Sequence, residues 1–373
     1  MTSDSTPQTG TAENAGAPVA SNSAPMLDKK KSIILGLVGL AFIVLIFWKV
    51  IPQIGSYSQA WDALQSMGAV AMVIIVVAVI VYLLAYGLPF MASAPGLPYW
   101  RSQQTNQAAF AISNGVPGGG AVGLAVQYGM LTSFSITPTA STAAITAVSL
   151  WSTFVTLGFP ILGVAALAVS GVGDNSHVTL AVVGLVILIA VVTVFVLVMR
   201  SAPLAQKIGE WANKAVNPLR SKIKSLKNAD LVAPIVKFRT DMYGLLKKRW
   251  GVITVAQMTV SFTQFLILYV ALRGVEGWDT AGTSILVAFA AFAISQLGLM
   301  VPITPGGLGT VDAAMIGLMV AFGVDNGDAT AAALVWRASS YVPQIIIGVI
   351  ALLAWSRKAG QRLAAVKPSP ATS

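Results

Sequence analysis

Two ionisable residues of opposite charge lie in apolar stretches towards the carboxyl-terminal end of the sequence. Asp312 comes five residues after Gly307, and Arg337 lies inside the apolar run 329–355. A charge at the centre of a membrane-spanning helix costs about 2.5–3.5 kcal/mol on insertion scales, so each residue needs a partner or a function. One hypothesis is a pair that lines a cavity, where Arg337 releases the carboxylate and binds a lipid phosphate in a forked geometry. The alternative is a permanent buried ion pair that only joins two helices.

Two Pro-Gly-Gly sequences are the strongest candidates for a binding site formed by backbone. They comprise Pro117, Gly118 and Gly119, and Pro305, Gly306 and Gly307. Proline lacks an N–H and glycine lacks a side chain, so each sequence ends a helix and leaves backbone groups unpaired. Inside a membrane such groups are tolerated only where protein or water surrounds them, and helix ends there can bind charged groups. The alternative is that the glycines only permit close packing or a kink.

Weaker candidates are polar side chains that flank the two Pro-Gly-Gly sequences, together with a third ionisable residue in an embedded stretch. These side chains could hydrogen-bond a headgroup, although each taken alone is more typical of a contact between helices. They are Arg101, Asn114, Gln296, Thr304 and Tyr341.

The two Pro-Gly-Gly sequences belong to an internal similarity, which appears when Pro117 is aligned with Pro305 and the register is kept without a gap. Each leads through a short apolar segment into a full span that contains a proline, Pro160 or Pro343. We interpret this as two repeats at about 63–170 and 251–356, the alternative being coincidence in a chain rich in alanine and glycine. Identical residues in this alignment are Pro117, Gly118, Gly119, Ala125, Gly129, Phe134, Ala143 and Ala144, which match residues 305, 306, 307, 313, 317, 322, 331 and 332.

The composition predicts a polytopic α-helical membrane protein. Of the 373 residues, 56% are hydrophobic and 10% are charged, against about 25% charged in a soluble domain. Without cysteine, and with His177 as the single histidine, the chain has no thiolate, disulfide or histidine-based metal or triad chemistry. No soluble catalytic or nucleotide-binding motif is present. We therefore expect no enzyme activity, no metal and no cofactor.

Apolar runs long enough to cross a bilayer predict six clear spans. Two further stretches, 97–132 and 281–323, are polar in part or broken by proline and glycine. Each forms either a re-entrant hairpin or extra spans, and we expect six to eight transmembrane helices in total. Residues 1–28 have too few large apolar side chains to fold and are predicted to be a disordered tail before a transmembrane domain at 29–356. The clear spans are 33–52, 68–92, 141–169, 178–199, 251–272 and 329–355.

Basic residues set the predicted orientation. Residues 200–249 hold twelve of the lysines and arginines against three acidic residues, so one loop accounts for most of the net charge of +10. The positive-inside rule places this loop, both termini and the tail 357–373 in the cytoplasm. We therefore expect a multi-pass protein of the cell membrane. The two broken stretches then enter from opposite sides, so the repeats are inverted. Apolar residues recur every three or four positions in 200–250, which predicts an amphipathic connector that lies under anionic headgroups. Because the basic residues then face lipid, we expect no nucleic-acid partner.

The segment from Pro302 to Leu353 resembles the carboxyl-terminal signature of the lysylphosphatidylglycerol synthase transmembrane-region family, also called flippase-like membrane proteins. The matching block is Pro302, Pro305 to Gly309, Asp312, Gly323-Val324, Ala329 and Arg337. The sequence departs from the family pattern at two places. Asp312 stands where the family usually has glutamate, and Gly123 and Leu124 stand where the first repeat often has charged residues. The resemblance implies movement of a lipid or lipid-linked headgroup between leaflets, with the second repeat as the better candidate for substrate contacts.

We therefore expect a flippase-like transporter for a phospholipid or polyprenyl-linked lipid, with membrane lipids as its partners and a midplane polar cavity as its route. Some relatives are the flippase half of an aminoacyl-lipid synthase, so a separate lipid-modifying enzyme is a further expected partner. The alternatives are a transporter for a small anion or drug and a non-catalytic membrane subunit of a lipid-modifying enzyme. A cavity open sideways to the bilayer favours a lipid, because its tails must stay in the membrane, whereas a small solute needs an enclosed cavity.

Overall fold

The computed structural model describes residues 67–115, 119–171, 200–220, 232–278, 281–300 and 305–365, together with isolated positions at 61–65 and 186–197. Every element within these residues is helical. The helices are α1 Ala69–Ala85, α2 Leu88–Ser93, α3 Tyr99–Gly115, α4 Gly119–Ser133, α5 Pro138–Val169, α6 Ala202–Arg220, α7 Val232–Glu276, α8 Ile285–Ser295, α9 Thr310–Ala321 and α10 Asn326–Ala365. Short 3-10 turns at Gln296–Met300 and Pro305–Gly307 separate α8 from α9.

Four helical segments are long and apolar enough to cross a membrane: Ala69–Ser93, Pro138–Val169, Lys247–Glu276 and Asn326–Arg357. They coincide with four of the predicted spans, and the described residues fit an all-α membrane protein. The predicted tail 1–28, the span 33–52 and most of the span 178–199 lie outside the described residues, as do residues 366–373.

Each of the two broken stretches forms a pair of short helices. Residues 97–132 contain α3 and α4, of 17 and 15 residues, and 281–323 contain α8 and α9, of 11 and 12 residues. A crossing needs about 20 residues of helix, so each of the four is shorter than a typical span and would cross alone only where the bilayer thins. We call α3 with α4 the first hairpin, and α8 to α9 with the 3-10 turns between them the second hairpin.

The first hairpin packs along the long helix α10. Tyr341 donates a hydrogen bond to the carbonyl oxygen of Asn114 at 3.2 Å, and Gln104 donates to the carbonyl of Ala351 at 3.0 Å. The order of the two contacts is reversed between the helices, so α3 runs antiparallel to the second half of α10. Trp355 then donates to Ser133 at 2.8 Å, which places the end of the first hairpin near the carboxyl-terminal end of α10.

The second hairpin approaches α10 from the other end. Helix α9 ends at Ala321, and a turn closed by the hydrogen bond from Val324 N to the carbonyl of Met319 leads directly into α10 at Asn326. Arg337, about three turns into α10, contacts the turn before α9. The two hairpins therefore enter from opposite ends of α10, and their tips meet along its middle.

The helix boundaries follow the internal alignment found in the sequence. Helices α4 and α9 end at the aligned residues Ser133 and Ala321, and α5 and α10 begin at the aligned residues Pro138 and Asn326. The residues before α5 and α10 correspond too, because Thr137 accepts a hydrogen bond from Ala140 N and Asp325 accepts one from Gly327 N. These side chains satisfy the free N–H groups of the first helical turn. That the two halves form inverted repeats stays a prediction.

Candidate functional site

Asp312 lies in the first turn of α9 and contacts both the helix start and α10. Its Oδ2 accepts a hydrogen bond from Gly309 N at 2.8 Å, so the carboxylate caps the helix that it belongs to. Its Oδ1 accepts a hydrogen bond from Arg337 Nε at 2.7 Å, and the two side chains are only 6% and 5% exposed. The pairing expected from the sequence is present as a buried ion pair.

Arg337 makes its other contacts with the turn before α9 and with two aromatic rings. Its Nη1 lies 3.4 Å from the carbonyl oxygen of Gly306, and its guanidinium carbon lies 4.7 Å and 5.6 Å from the ring centroids of Trp336 and Tyr341. Within the described part of the chain, its Nη2 is buried without a hydrogen-bond partner. A buried donor left unsatisfied costs about 1–3 kcal/mol. The Nη2 group of Arg337 is such an unused donor.

Gly306 lets the tips of the two hairpins approach closely. Its φ of +62° is one that residues with a side chain rarely adopt. A Cβ atom there would lie 2.7 Å from both Asn114 Oδ1 and Tyr341 Oη, closer than such atoms can approach. We call the contact set of Asn114, Gly306, Asp312, Arg337 and Tyr341 the tip junction.

Three other predicted site residues lie outside the tip junction. Gly119 begins α4, where a Cβ would clash with the carbonyl oxygen of Ile112, so it permits close packing within the first hairpin. The guanidinium of Arg101 lies 5.2 Å from the ring of Phe134 at the other end of that hairpin. Gln296 lines a small pocket of about 30 Å³ beside α5 and α7.

The second Pro-Gly-Gly sequence, Pro305 to Gly307, forms a 3-10 turn just before α9. Pro117, Gly118 and Thr304 lie outside the described residues. The role of all these residues in binding a substrate stays a prediction.

A cavity of about 350 Å³ lies between the first hairpin, α5 and α7. Three amides and four hydroxyl groups supply its polar wall, and none of the described residues that line it is charged. None of the predicted site residues that the structure describes lines it either. We call it the polar cavity; its polar lining residues are Tyr86, Asn106, Ser113, Gln127, Ser149, Ser152 and Gln257, and its other lining residues are Pro89, Gly120, Leu124, Val148 and Val260.

The wall formed by α5 and α7 is held by a hydrogen bond next to the cavity. Trp151 Nε1 donates to Thr254 Oγ1 at 2.7 Å, and these residues lie close in sequence to Ser152 and Gln257. The side-chain oxygen of Gln257 is buried and, among the described residues, has no hydrogen-bond partner. Gln257 thus lines the cavity and carries a buried acceptor that no described group of the protein satisfies.

A row of aromatic rings connects the polar cavity with the tip junction. Tyr86, on the cavity wall, has its ring centroid 5.7 Å from that of Phe110, and Phe110 lies 5.3 Å from Tyr341. Tyr341 in turn lies beside Arg337. The ion pair is therefore separated from the cavity by packed aromatic side chains.

Comparison with protein families agrees with the resemblance found in the sequence. The family described as lysylphosphatidylglycerol synthase TM region matches residues 34–348, most of the chain. The chain belongs to this family. A search of curated proteins found no match. Membership in the lysylphosphatidylglycerol synthase TM-region family makes the chain a membrane protein of lipid metabolism or transport.

A polar cavity was expected from the sequence, but the residues that line it in this family member were not predicted. Ser149 and Ser152 are three positions apart and so share one face of α5, which is a weak signal inside an apolar span. Gln127 and Gln257 are likewise single amides in apolar helices. Because the lining residues come from helices far apart in the sequence, only their packing identifies them as one site.

Proposed function

We propose that this chain is a flippase-like transporter that moves the headgroup of a membrane lipid between leaflets through the polar cavity. The headgroup enters the cavity while the tails remain in the bilayer. On this proposal the chain is a multi-pass protein of the cell membrane with both termini in the cytoplasm, and it catalyses no covalent reaction. Its partners are lipids, and a separate lipid-modifying enzyme would supply or consume them.

The exposed rim of the polar cavity is the observation that supports this proposal. Gly120 and Leu124 on α4 and Ser149 on α5 line the cavity and are exposed, Leu124 to 47%. The rim between α4 and α5 is therefore open at the surface of two apolar helices. Such a rim fits a lipid whose tails stay outside, and it fits a small solute less well.

The depth of the cavity fits the same role. Ser149 and Ser152 lie in the middle of α5, which begins at Pro138. At 1.5 Å per residue they are about 17–21 Å along the helix from its start, which is close to the middle of a hydrocarbon core of about 30 Å. Hydrogen-bonding groups at that depth lower the cost of bringing a polar headgroup across the membrane.

We assign the tip junction a supporting role beside this route. The Asp312 carboxylate joins α9 to α10, and Tyr341 and Gly306 join α10 and the second hairpin to the first hairpin. Burial of both charges favours a permanent ion pair that holds this arrangement. The alternative hypothesis, in which Arg337 binds a lipid phosphate, uses its free Nη2 and requires the pair to open.

Blocking the rim of the polar cavity tests the proposal. We expect Gly120→Trp to reduce protein-dependent movement of fluorescent lipids across reconstituted vesicles at least about tenfold, because a Cβ at Gly120 has open space around it and the indole would fill the mouth of the cavity. The wild-type protein should move at least one lipid class.

Gly317→Trp is the matched control for this experiment. Gly317 is an exposed helical glycine on α9, away from the polar cavity, and a Cβ there also meets open space. It should move lipids like the wild type. Wild-type protein that moves no lipid, or equal movement by Gly120→Trp and wild type, would contradict the proposal.

A further inference from the structure

The uncharged wall of the polar cavity restricts the headgroup that it can bind. A charged group that leaves water for such a site pays a large desolvation cost unless a countercharge is present. The described lining has no lysine, arginine, aspartate, glutamate or histidine, and the nearby ion pair is separated from it by Phe110 and Tyr341. The site therefore disfavours an ammonium, carboxylate or phosphate group inside it.

The polar groups that are present suit many hydroxyl groups at once. Amide side chains both donate and accept hydrogen bonds, and so do hydroxyl side chains. Asn106 donates its side-chain N–H to the carbonyl of Tyr86, which leaves its amide oxygen to accept. Gln257 lines the cavity, and its buried side-chain oxygen has no described partner, so it can accept a hydrogen bond from a donor that reaches it. A hydroxyl group supplies that donor and can accept from a neighbouring group.

We propose that the polar cavity binds an uncharged, hydroxyl-rich ring, that is, the glycosyl or polyol part of a lipid headgroup. This inference rests on the proposed function and specifies its substrate class. The volume of about 350 Å³ lies at the small end of the ligand pockets of about 300–1,000 Å³ found in proteins, so it accommodates a headgroup and not the tails. Where the ring is attached through a phosphate, that phosphate lies outside the cavity.

Binding is measured by the rise in unfolding temperature that added lipid causes in the detergent-solubilised full chain. The probes are monoglucosyl diacylglycerol, phosphatidylinositol, phosphatidylcholine and phosphatidylserine. We expect one or both of the first two to stabilise the protein more than the last two. Comparing monoglucosyl diacylglycerol with phosphatidylinositol identifies the source of the ring, because the glucosyl lipid lacks the phosphate that phosphatidylinositol carries. Equal or greater stabilisation by phosphatidylcholine or phosphatidylserine would overturn the inference.

The Gln257→Leu variant links that selectivity to the cavity. We expect its apparent affinity for the hydroxyl-rich lipid to fall about five- to tenfold, since one buried hydrogen bond is lost. Without lipid, the variant should be at least as stable as the wild type, because leucine removes an unsatisfied acceptor. Gln264→Leu, on the same helix but outside the polar cavity, should leave the affinity unchanged. Unchanged affinity in Gln257→Leu would exclude this site.

The same proteins in vesicles separate this inference from the proposed function. Movement of every lipid class at similar rates would support transport and contradict headgroup selection. Selective binding of a hydroxyl-rich lipid without any transbilayer movement would contradict transport and leave the assignment of the cavity intact.

Discussion

Replacing Arg337 by methionine is expected to lower the free energy of unfolding by about 3–5 kcal/mol, because it leaves the Asp312 carboxylate buried without its cation. Asp312 keeps the hydrogen bond from Gly309 N, but loses the 2.7 Å contact with the guanidinium. The contact with the carbonyl of Gly306 is lost as well, so the tip of the second hairpin is held less firmly. Unfolding in mixed micelles with increasing denaturant measures the change.

The double variant Asp312→Asn with Arg337→Met distinguishes a structural pair from a phosphate-binding arginine. Asparagine keeps an oxygen that can accept from Gly309 N and carries no charge, so most of the lost stability should return. We expect lipid movement to return with it, because neither residue lines the polar cavity. A double variant as stable as the wild type that moves no lipid would instead show that Arg337 contacts the substrate.

The long apolar helices and the ion pair were predictable from the sequence. The spans at 68–92 and 141–169 are apolar on every side over lengths that only a membrane explains, and the structure has helices there. Asp312 and Arg337 were predictable as a pair because charged residues in apolar segments need a partner and these two lie on consecutive helices.

The position of the ion pair relative to the cavity was not predictable in the same way. The sequence makes Arg337, inside an apolar run, a candidate for substrate contact, but the rings of Tyr341 and Phe110 separate it from the polar cavity. Three-dimensional packing decides this, since Phe110 belongs to α3 and lies far from Tyr341 in the chain. Uncharged amides such as Gln257 give little local signal, because they also serve as ordinary contacts between membrane helices.

Gly348→Ala is expected to lower stability strongly, because α3 and α10 approach each other closely at this glycine. A Cβ at this position would overlap the carbonyl oxygen of Gln107 and lie 2.6 Å from the Cβ of Ala111. The backbone oxygen cannot move aside as the end of a flexible side chain can, so the helices must separate. Overpacking of this kind costs about 1–3 kcal/mol.

Separation of these helices should also reduce lipid movement, because α3 carries Asn106 and Ser113 into the polar cavity. Gly317→Ala is the control, since a Cβ at Gly317 meets open space and alanine favours the helix. Unfolding and lipid movement are measured side by side for the two variants. We expect the control to be as stable as the wild type or slightly more so. If Gly348→Ala unfolded and moved lipid like Gly317→Ala, α3 would not need its close contact with α10, and the expected dependence of the polar cavity on that contact would be wrong.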